Sequence, residues 1–255
     1  MVWHETTDIA VIVMLTQISE AGREKCFQYF PLDSTNDTVI VNEADEFGDG
    51  FKAHVQLVES TIDERKRITV RKLLMTVNDE SRIVWHLLFS GWPDFGVPEG
   101  DDRLALFELL KLSANKNPIP ENPRIVHCSA GVGRSGTFIA LGHLLGELDA
   151  GTVADVKDGE DMVFDTVNKL REQRMMMVQS DAQYLFLYEV LRERFEEKQA
   201  AAPSQILVHT SAETSEGNEE RSPKVARLTK DVDATTIESS DEQTENVPVA
   251  RAGCS

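Results

Sequence analysis

Cysteine is scarce in this chain, three in 255 residues, and so are tryptophan and tyrosine, three of each. So few thiols exclude a disulfide-stapled secreted scaffold, and with no signal peptide at the N-terminus they predict a reducing, cytoplasmic setting. No apolar run approaches the roughly 20 residues that a membrane-spanning helix needs. Positive charge is also in short supply: 26 Lys and Arg face 44 Asp and Glu, a formal net charge of −18. A surface this acidic repels polyphosphates and anionic headgroups, so neither nucleic acid nor membrane is expected as a partner. The histidines, His4, His54, His86, His127, His143 and His209, show no metal-ligand spacing, and no metal or other cofactor is expected. Among them His86 reads as an ordinary strand histidine. After about Gln199 no Phe, Trp or Tyr occurs, Ser, Thr, Glu and Ala dominate, and hydrophobic periodicity stops, which predicts a disordered acidic tail over 199–255. That tail carries a net charge of −5, leaving −13 of the −18 on residues 1–198, so the acidity is spread along the chain.

What the chain does have is a small glycine-rich loop between a cysteine and an arginine. Cys128 and Arg134 are separated by Ser129, Ala130, Gly131, Val132 and Gly133. Arg124–Val126 ahead of the loop reads as a buried strand, and Gly136–Leu148 behind it reads as a helix with apolar positions at Phe138, Ile139, Leu141, Leu144, Leu145 and Leu148. A strand-to-helix turn aims successive backbone N–H groups and the positive end of the helix dipole into one concavity, which favours a phosphate-like anion. The same field favours a thiolate at Cys128, drawing its pKa down and making a nucleophile at neutral pH. Arg134 supplies a planar fork able to donate two parallel hydrogen bonds to phosphate oxygens. Gly131 and Gly133 allow the backbone its close approach. The Ser135 hydroxyl can hydrogen-bond the sulfur and ease its departure from a phosphocysteine, and His127, next to the sulfur, can hydrogen-bond the loop and tune the thiol.

At this point the stretch His127–Thr137 resembles the signature of the protein tyrosine phosphatases, and three other stretches are similar to the tyrosine-specific, non-receptor group of that family. Trp92–Pro98 resembles the family's acid loop, with prolines and glycine that suit a loop moving between two positions. The resemblance implies that Asp94 protonates the leaving phenolate and later takes a proton from the attacking water. Gln179–Gln183 is similar to the family's glutamine loop, which implies that Gln179 orients that water and Gln183 assists. Glu20–Pro31 resembles the glutamate loop and the stretch that follows it, with Phe30 where tryptophan is usual. By the resemblance, Glu20 pairs with Arg134 and holds its fork in register, while Lys25 sits near the acid loop. Cys26 reads as a structural thiol.

Met1–Glu5 resembles an internal stretch of the family domain, so the chain is expected to lack the family's N-terminal helices and first strands. The loop whose tyrosine stacks on the substrate ring is expected to be missing with them, and no Lys-Asn-Arg-Tyr run occurs. The expected fold is α/β, a twisted mixed β-sheet flanked by α-helices, protein tyrosine phosphatase-like and N-terminally incomplete, with a catalytic domain over 1–198. Strands are read at Ala10–Leu15, Thr38–Asn42, Lys52–Ser60, Ile68–Val77, Ile83–Phe89 and Arg124–His127. Helices are read at Asp102–Asn115, Gly136–Leu148, Asp161–Arg174 and Asp181–Lys198, with the functional loops gathered at one edge of the sheet. The implied activity is hydrolysis of phosphotyrosine in proteins through a phosphocysteine, with phosphotyrosine-containing proteins as partners. Two alternatives stand beside it: a truncated, catalytically weak domain that captures phosphotyrosine, and a dual-specificity phosphatase, which the glutamate-loop and glutamine-loop matches disfavour.

Overall fold

The aliphatic run Ile9–Met14 has no polar residue to offer to water, and it forms β1, a strand covered on both faces. Val11, Val13 and Leu15 point into one hydrophobic core, and Ala10, Ile12 and Met14 into a second on the opposite face of the sheet. The computed structural model describes residues 1–152 and 159–201. The tail reading from residue 202 onward therefore lies outside the described residues.

In chain order the elements are α1 (Val2–Glu5), β1, β2 (Ser19–Glu20), β3 (Arg23–Glu24), β4 (Thr38–Val41), β5 (Ala53–Asp63), β6 (Ile68–Val77) and β7 (Glu80–Phe89). There follow α2 (Gly100–Asn115), β8 (Ile125–His127), α3 (Gly133–Ala150), α4 (Met162–Gln173) and α5 (Asp181–Ala201). Six strands form one sheet in the order β4-β5-β6-β7-β1-β8, and β2 and β3 form a separate small hairpin. β4 to β7 pair antiparallel in succession, whereas β1 runs parallel to both β7 and β8. The mixed, helix-flanked sheet matches the expected architecture.

One face of the sheet carries the helical layer. Leu106 and Leu109 of α2, Phe138, Leu141 and Leu144 of α3, and Phe186, Leu187 and Val190 of α5 all bury themselves there, each set recurring at three- or four-residue steps, with Phe186 beside Leu187, so that it stays on one helix face. Burial of each such side chain contributes about 1.5–3 kcal/mol. Local signals set the helix ends. The Asp161 carboxylate accepts from the Phe164 N–H at 2.9 Å and starts α4. Gly151, with φ of 87°, closes α3 in the left-handed conformation. On the opposite face Phe30, Leu73 and Val84 cover β1, and Arg82 ties α1 down by donating to the Trp3 and Thr6 carbonyls.

Several boundaries differ from the sequence reading, each for a physical reason. α3 begins at Gly133, not Gly136, so Arg134 and Ser135 sit in its first turn. β8 is half-buried, not buried, because it is the edge strand. β5 runs on to Asp63 beyond Ser60, in a polar stretch whose pairing with β6 gives no hydrophobic alternation to read. α2 starts at Gly100, with Asp101 and Asp102 in the first turn where the helix dipole favours them. α5 continues past residue 198 to Ala201.

Because β1, β7 and β8 are mutually parallel, their carboxyl ends open at the same edge of the sheet. β1 leads to the β2–β3 hairpin, β7 to the segment Trp92–Asp94, and β8 directly to Cys128. The helix side of the crevice is set by a close approach: a Cβ on Gly136 in α3 would lie 2.5 Å from the Val178 backbone nitrogen. Gly136→Ala is therefore expected to destabilise the protein by about 1–3 kcal/mol, read as a lower urea midpoint at unchanged m-value.

Candidate active site

The Cys128 sulfur is buried at the base of the loop and accepts a hydrogen bond from the Gly131 N–H at 3.3 Å. Gly131 has φ of 72°, which turns that N–H back toward the sulfur. Burial pushes the thiol pKa up, but the Ser135 hydroxyl and N–H, the Gly131 N–H and the Arg134 charge outweigh it, and the net result lies below the ordinary thiol value. The Ser135 hydroxyl is buried and has no other partner, so the sulfur is its only outlet. His127 precedes the cysteine, with its Nδ1 3.2 Å from the Cys128 carbonyl oxygen.

Arg134 is 2 % exposed and nearly every donor it has is engaged. Its Nη1 donates to Glu20 Oε1 at 2.7 Å and to the Trp92 carbonyl at 3.2 Å, and its Nη2 donates to Glu20 Oε2 at 3.0 Å and Asp94 Oδ1 at 3.1 Å. Glu20 thus grips the end of the fork with both oxygens and is itself held by the Thr16 hydroxyl and the Gln17 N–H. Burial raises the Glu20 pKa, and the hydrogen bonds from Arg134, Gln17 and Thr16 lower it by more.

Asp94 bridges two cations, with Oδ1 on Arg134 and Oδ2 on Lys25 Nζ. Burial acts to raise its pKa, while Lys25 and Arg134 bring it below the usual carboxylate range. The loop that carries it is drawn over the crevice. The Ser180 hydroxyl donates to the Phe95 carbonyl at 2.9 Å, Gln183 Nε2 reaches the Gly96 carbonyl at 3.4 Å, and Trp92 Nε1 donates to the same carbonyl at 3.0 Å.

Gln179 and Gln183 lie against the start of α3. A Cβ on Gly133 would come within 3.1 Å of Gln183 Oε1 and 3.3 Å of Gln179 Oε1, so the bare glycine makes room for both amides. Gln183 Oε1 accepts from the Gln179 N–H at 3.2 Å. The structure thus brings Cys128, Ser129, Ala130, Gly133, Arg134, Asp94, Lys25, Gln179 and Gln183 around one cavity of about 270 Å³, with Glu20 and Ser135 immediately behind it. The Val132 carbonyl accepts from the Gly136 and Val178 N–H groups and locks the loop to the glutamine loop.

Sequence reading missed Arg171 and Arg174. Arg174 donates to the Ala130 carbonyl at 3.1 Å, and Arg171 donates to the Met177 and Val178 carbonyls at 3.0 Å each. The role of Arg171 follows from backbone strain: Met176 and Val178 hold φ of 67° and 59°, a region that is costly for a side-chain-bearing residue, most of all β-branched Val178, and persists only where neighbours enforce it. Arg174 instead ties the Cys128 loop to the end of α4. The available signal was a pair of arginines three apart at the end of a helix that leads into the loop. Among the described residues no group of three or more His, Cys, Asp or Glu is placed to hold a metal ion, and no helix is long and apolar enough to cross a membrane.

Comparison with known proteins gives consistent results. The chain is 36% identical over 199 residues to human receptor-type tyrosine-protein phosphatase epsilon, covering 76% of this chain and 25% of that one. It is 34% identical over 218 residues to mouse tyrosine-protein phosphatase non-receptor type 9, covering 80% and 33%. A solved structure of PTPN18 in complex with HER2 phosphopeptides, the human non-receptor type 18 enzyme, superposes with a TM-score of 0.62 at 27% identity, covering 76% of this chain and 65% of that chain. The chain therefore spans a quarter to a third of the length of these curated relatives. The model of the protein-tyrosine phosphatase family matches residues 1–193, a span that takes in all three parallel strands and every loop they deliver to the crevice, and the chain belongs to that family.

Proposed function

We propose that this chain hydrolyses phosphotyrosine in proteins by two in-line displacements through a phosphocysteine. The observation that carries the reading is the division of labour on Arg134. Glu20 occupies the terminal Nη1/Nη2 edge of the guanidinium, which leaves the lateral edge, Nε with the second Nη2 hydrogen, for the cavity that Arg134 lines, where Nη2 also donates to Asp94 Oδ1. A phosphate dianion fits that lateral edge bidentately, while the backbone N–H groups of Ser129 to Gly133 receive its remaining oxygens.

In the first displacement the Cys128 thiolate attacks phosphorus, the bond to the phenolic oxygen breaks, and Asp94 gives that oxygen a proton. In the second, a water placed by Gln179, with Gln183 assisting, attacks phosphorus. The sulfur–phosphorus bond breaks, Asp94 takes the water's proton, and the Ser135 hydroxyl receives the returning thiolate in a hydrogen bond. Asp94 reaches its acidic form through exchange of anions at Arg134: incoming phosphate takes the lateral edge, removes one of the two cations that depress the carboxyl pKa, Lys25 being the other, and places a negative charge beside it. Neutral amides hold the water without lowering its nucleophilicity. The protein as substrate is supported by the phosphopeptides bound to the similar PTPN18 structure. A buried thiolate nucleophile also fits a reducing, cytoplasmic compartment.

Three measurements test this. Cys128→Ser is expected to abolish hydrolysis of a small aryl phosphate assayed with chelator and thiol, whereas persistent turnover with that variant removes the proposal. Asp94→Asn is expected to lower kcat about 10²- to 10⁴-fold and to flatten the fall of kcat toward alkaline pH, since kcat reports groups in the substrate complex, where Asp94 holds its proton. Glu20 gives a stability test. Its folded pKa lies below its unfolded one, so its contribution is present above the unfolded carboxylate pKa and is lost as pH falls through the folded pKa. Thermal melts of Glu20→Gln are expected to lie below those of the native protein at neutral pH and to converge with them in acid.

A further inference from the structure

A polar thread crosses the otherwise apolar face of the sheet opposite the helices. His86 of β7 is 0 % exposed, and its Nε2 lies 3.1 Å from the Tyr29 hydroxyl oxygen. The same hydroxyl lies 2.7 Å from Nε2 of His127 on β8, and His127 Nδ1 lies 3.2 Å from the Cys128 carbonyl oxygen. No residue of the mechanism above needs His86.

The proton order along this thread is forced. A carbonyl oxygen only accepts, so the hydrogen of neutral His127 is on Nδ1 and its Nε2 is an acceptor. Tyr29 therefore donates its one hydrogen to His127, and its oxygen accepts from the Nε2–H of His86. His86 Nδ1 is then bare, and it is indeed buried with no partner. Burial, more than any one neighbour, keeps the thread uncharged, and the groups facing it come from three elements. β6 contributes Arg71, the cross-strand partner of His86, 6 % exposed, with its guanidinium 4.8 Å from the Phe30 ring centre. The segment after β3 contributes Cys26 and Tyr29, and β1 contributes Met14, whose sulfur is 4.0 Å from the hydroxyl. Burial, then Arg71 and His127, push His86 down to about 3, and burial lowers His127 as well. Burial raises both Tyr29 and Cys26 above their ordinary values.

We propose that His86 is a positioning residue for the thiolate: by donating to Tyr29 it fixes the direction of every hydrogen in the thread, so that His127 always presents Nδ1–H to the Cys128 carbonyl. That bond orients the peptide plane at the mouth of the cradle, and with it the amides that follow and stabilise the sulfur. Without the His86 donor, the Tyr29 hydrogen is free to rotate and His127 is free to change tautomer, which removes the donor facing the carbonyl. The inference rests on Cys128 being the thiolate nucleophile of the proposed reaction.

The test measures alkylation of Cys128 by iodoacetate across pH in the full chain, resolved from Cys26 and Cys254 by peptide mass, with and without orthophosphate. Native Cys128 is expected to react as a thiolate in mild acid and to be protected by phosphate. His86→Leu is expected to slow its reaction in mild acid about three- to tenfold, with the rates converging at alkaline pH where both thiols are ionised. His86→Gln, whose amide can donate to Tyr29, is expected to restore the rate to within about twofold. Tyr29→Phe is expected to match His86→Leu, and the double variant to be no slower than either, because both cut one thread. Tyr29→Phe carries the same test if His86→Leu does not fold. A native pH profile in these variants, a glutamine that rescues nothing, or additive losses would each overturn the role of His86 and leave the phosphatase reading intact. A native Cys128 that alkylates like a free thiol, indifferent to phosphate, removes both.

Discussion

A guanidinium taken almost wholly out of water beneath a strand-to-helix turn is the constraint to which the rest of this site answers. Isolated burial of such a charge costs several kcal/mol, and only well-aligned acceptors offset it. Glu20 provides two, the Trp92 carbonyl a third and Asp94 a fourth. Glu20 lies 114 residues from Arg134 in the chain, Trp92 42 and Asp94 40, and the parallel alignment of β1, β7 and β8 delivers them to one place. The arrangement of the sheet and the burial of Arg134 are therefore one fact seen at two scales.

The helix side answers to a different constraint, namely how closely two backbones can approach. Gly136 faces the Val178 nitrogen and Gly133 faces the two glutamine amides, so α3 presents backbone where a side chain would hold the glutamine loop away. The loop reaches this distance only by turning through positive φ at Met176 and Val178, and the carbonyls freed by that turn are the ones Arg171 satisfies. Rigid support on this side leaves adjustment to the segment Trp92–Gly96, which is held by a few hydrogen bonds at its tip and by exchangeable ion pairs on Asp94.

Much of this was legible in the residues. The spacing of Cys128 and Arg134 around glycines announced an anion cradle because backbone geometry at a strand-to-helix turn is local, and the apolar run Ala10–Leu15 announced a strand, which the structure places at Ile9–Met14. Glu20 and Lys25 were another matter. As bare surface-type residues they carried no signal, and only similarity to a family singled them out; their contacts with Arg134 and Asp94 exist through tertiary approach. The start of α3 was read three residues late because Gly133, Arg134 and Ser135 look like loop, and the helix there is held by the Val132 carbonyl accepting from Gly136. His86 was read as an ordinary strand histidine, since neither its full burial nor its neighbour Tyr29, 57 residues away, is encoded in local pattern.

The chain's net charge of −18 bears on how such a site selects an anion. Arg134, Lys25 and Arg23 at the cavity face Glu20, Asp94 and the Cys128 thiolate, so the ionised groups close to cancel and no strong positive field projects from the crevice. Distant acidic residues are screened within about 8 Å at physiological ionic strength and contribute little at this depth. What favours a phosphate dianion is then direction: N–H groups fixed by glycine geometry, and one edge of a guanidinium whose other edge is already taken. Asp94 occupies that edge as a single carboxylate oxygen; in the proposed reaction a phosphate group makes two contacts there and returns Asp94 to the role of proton carrier. Selectivity for the dianion thus comes from hydrogen-bond geometry that the acidic exterior cannot cancel.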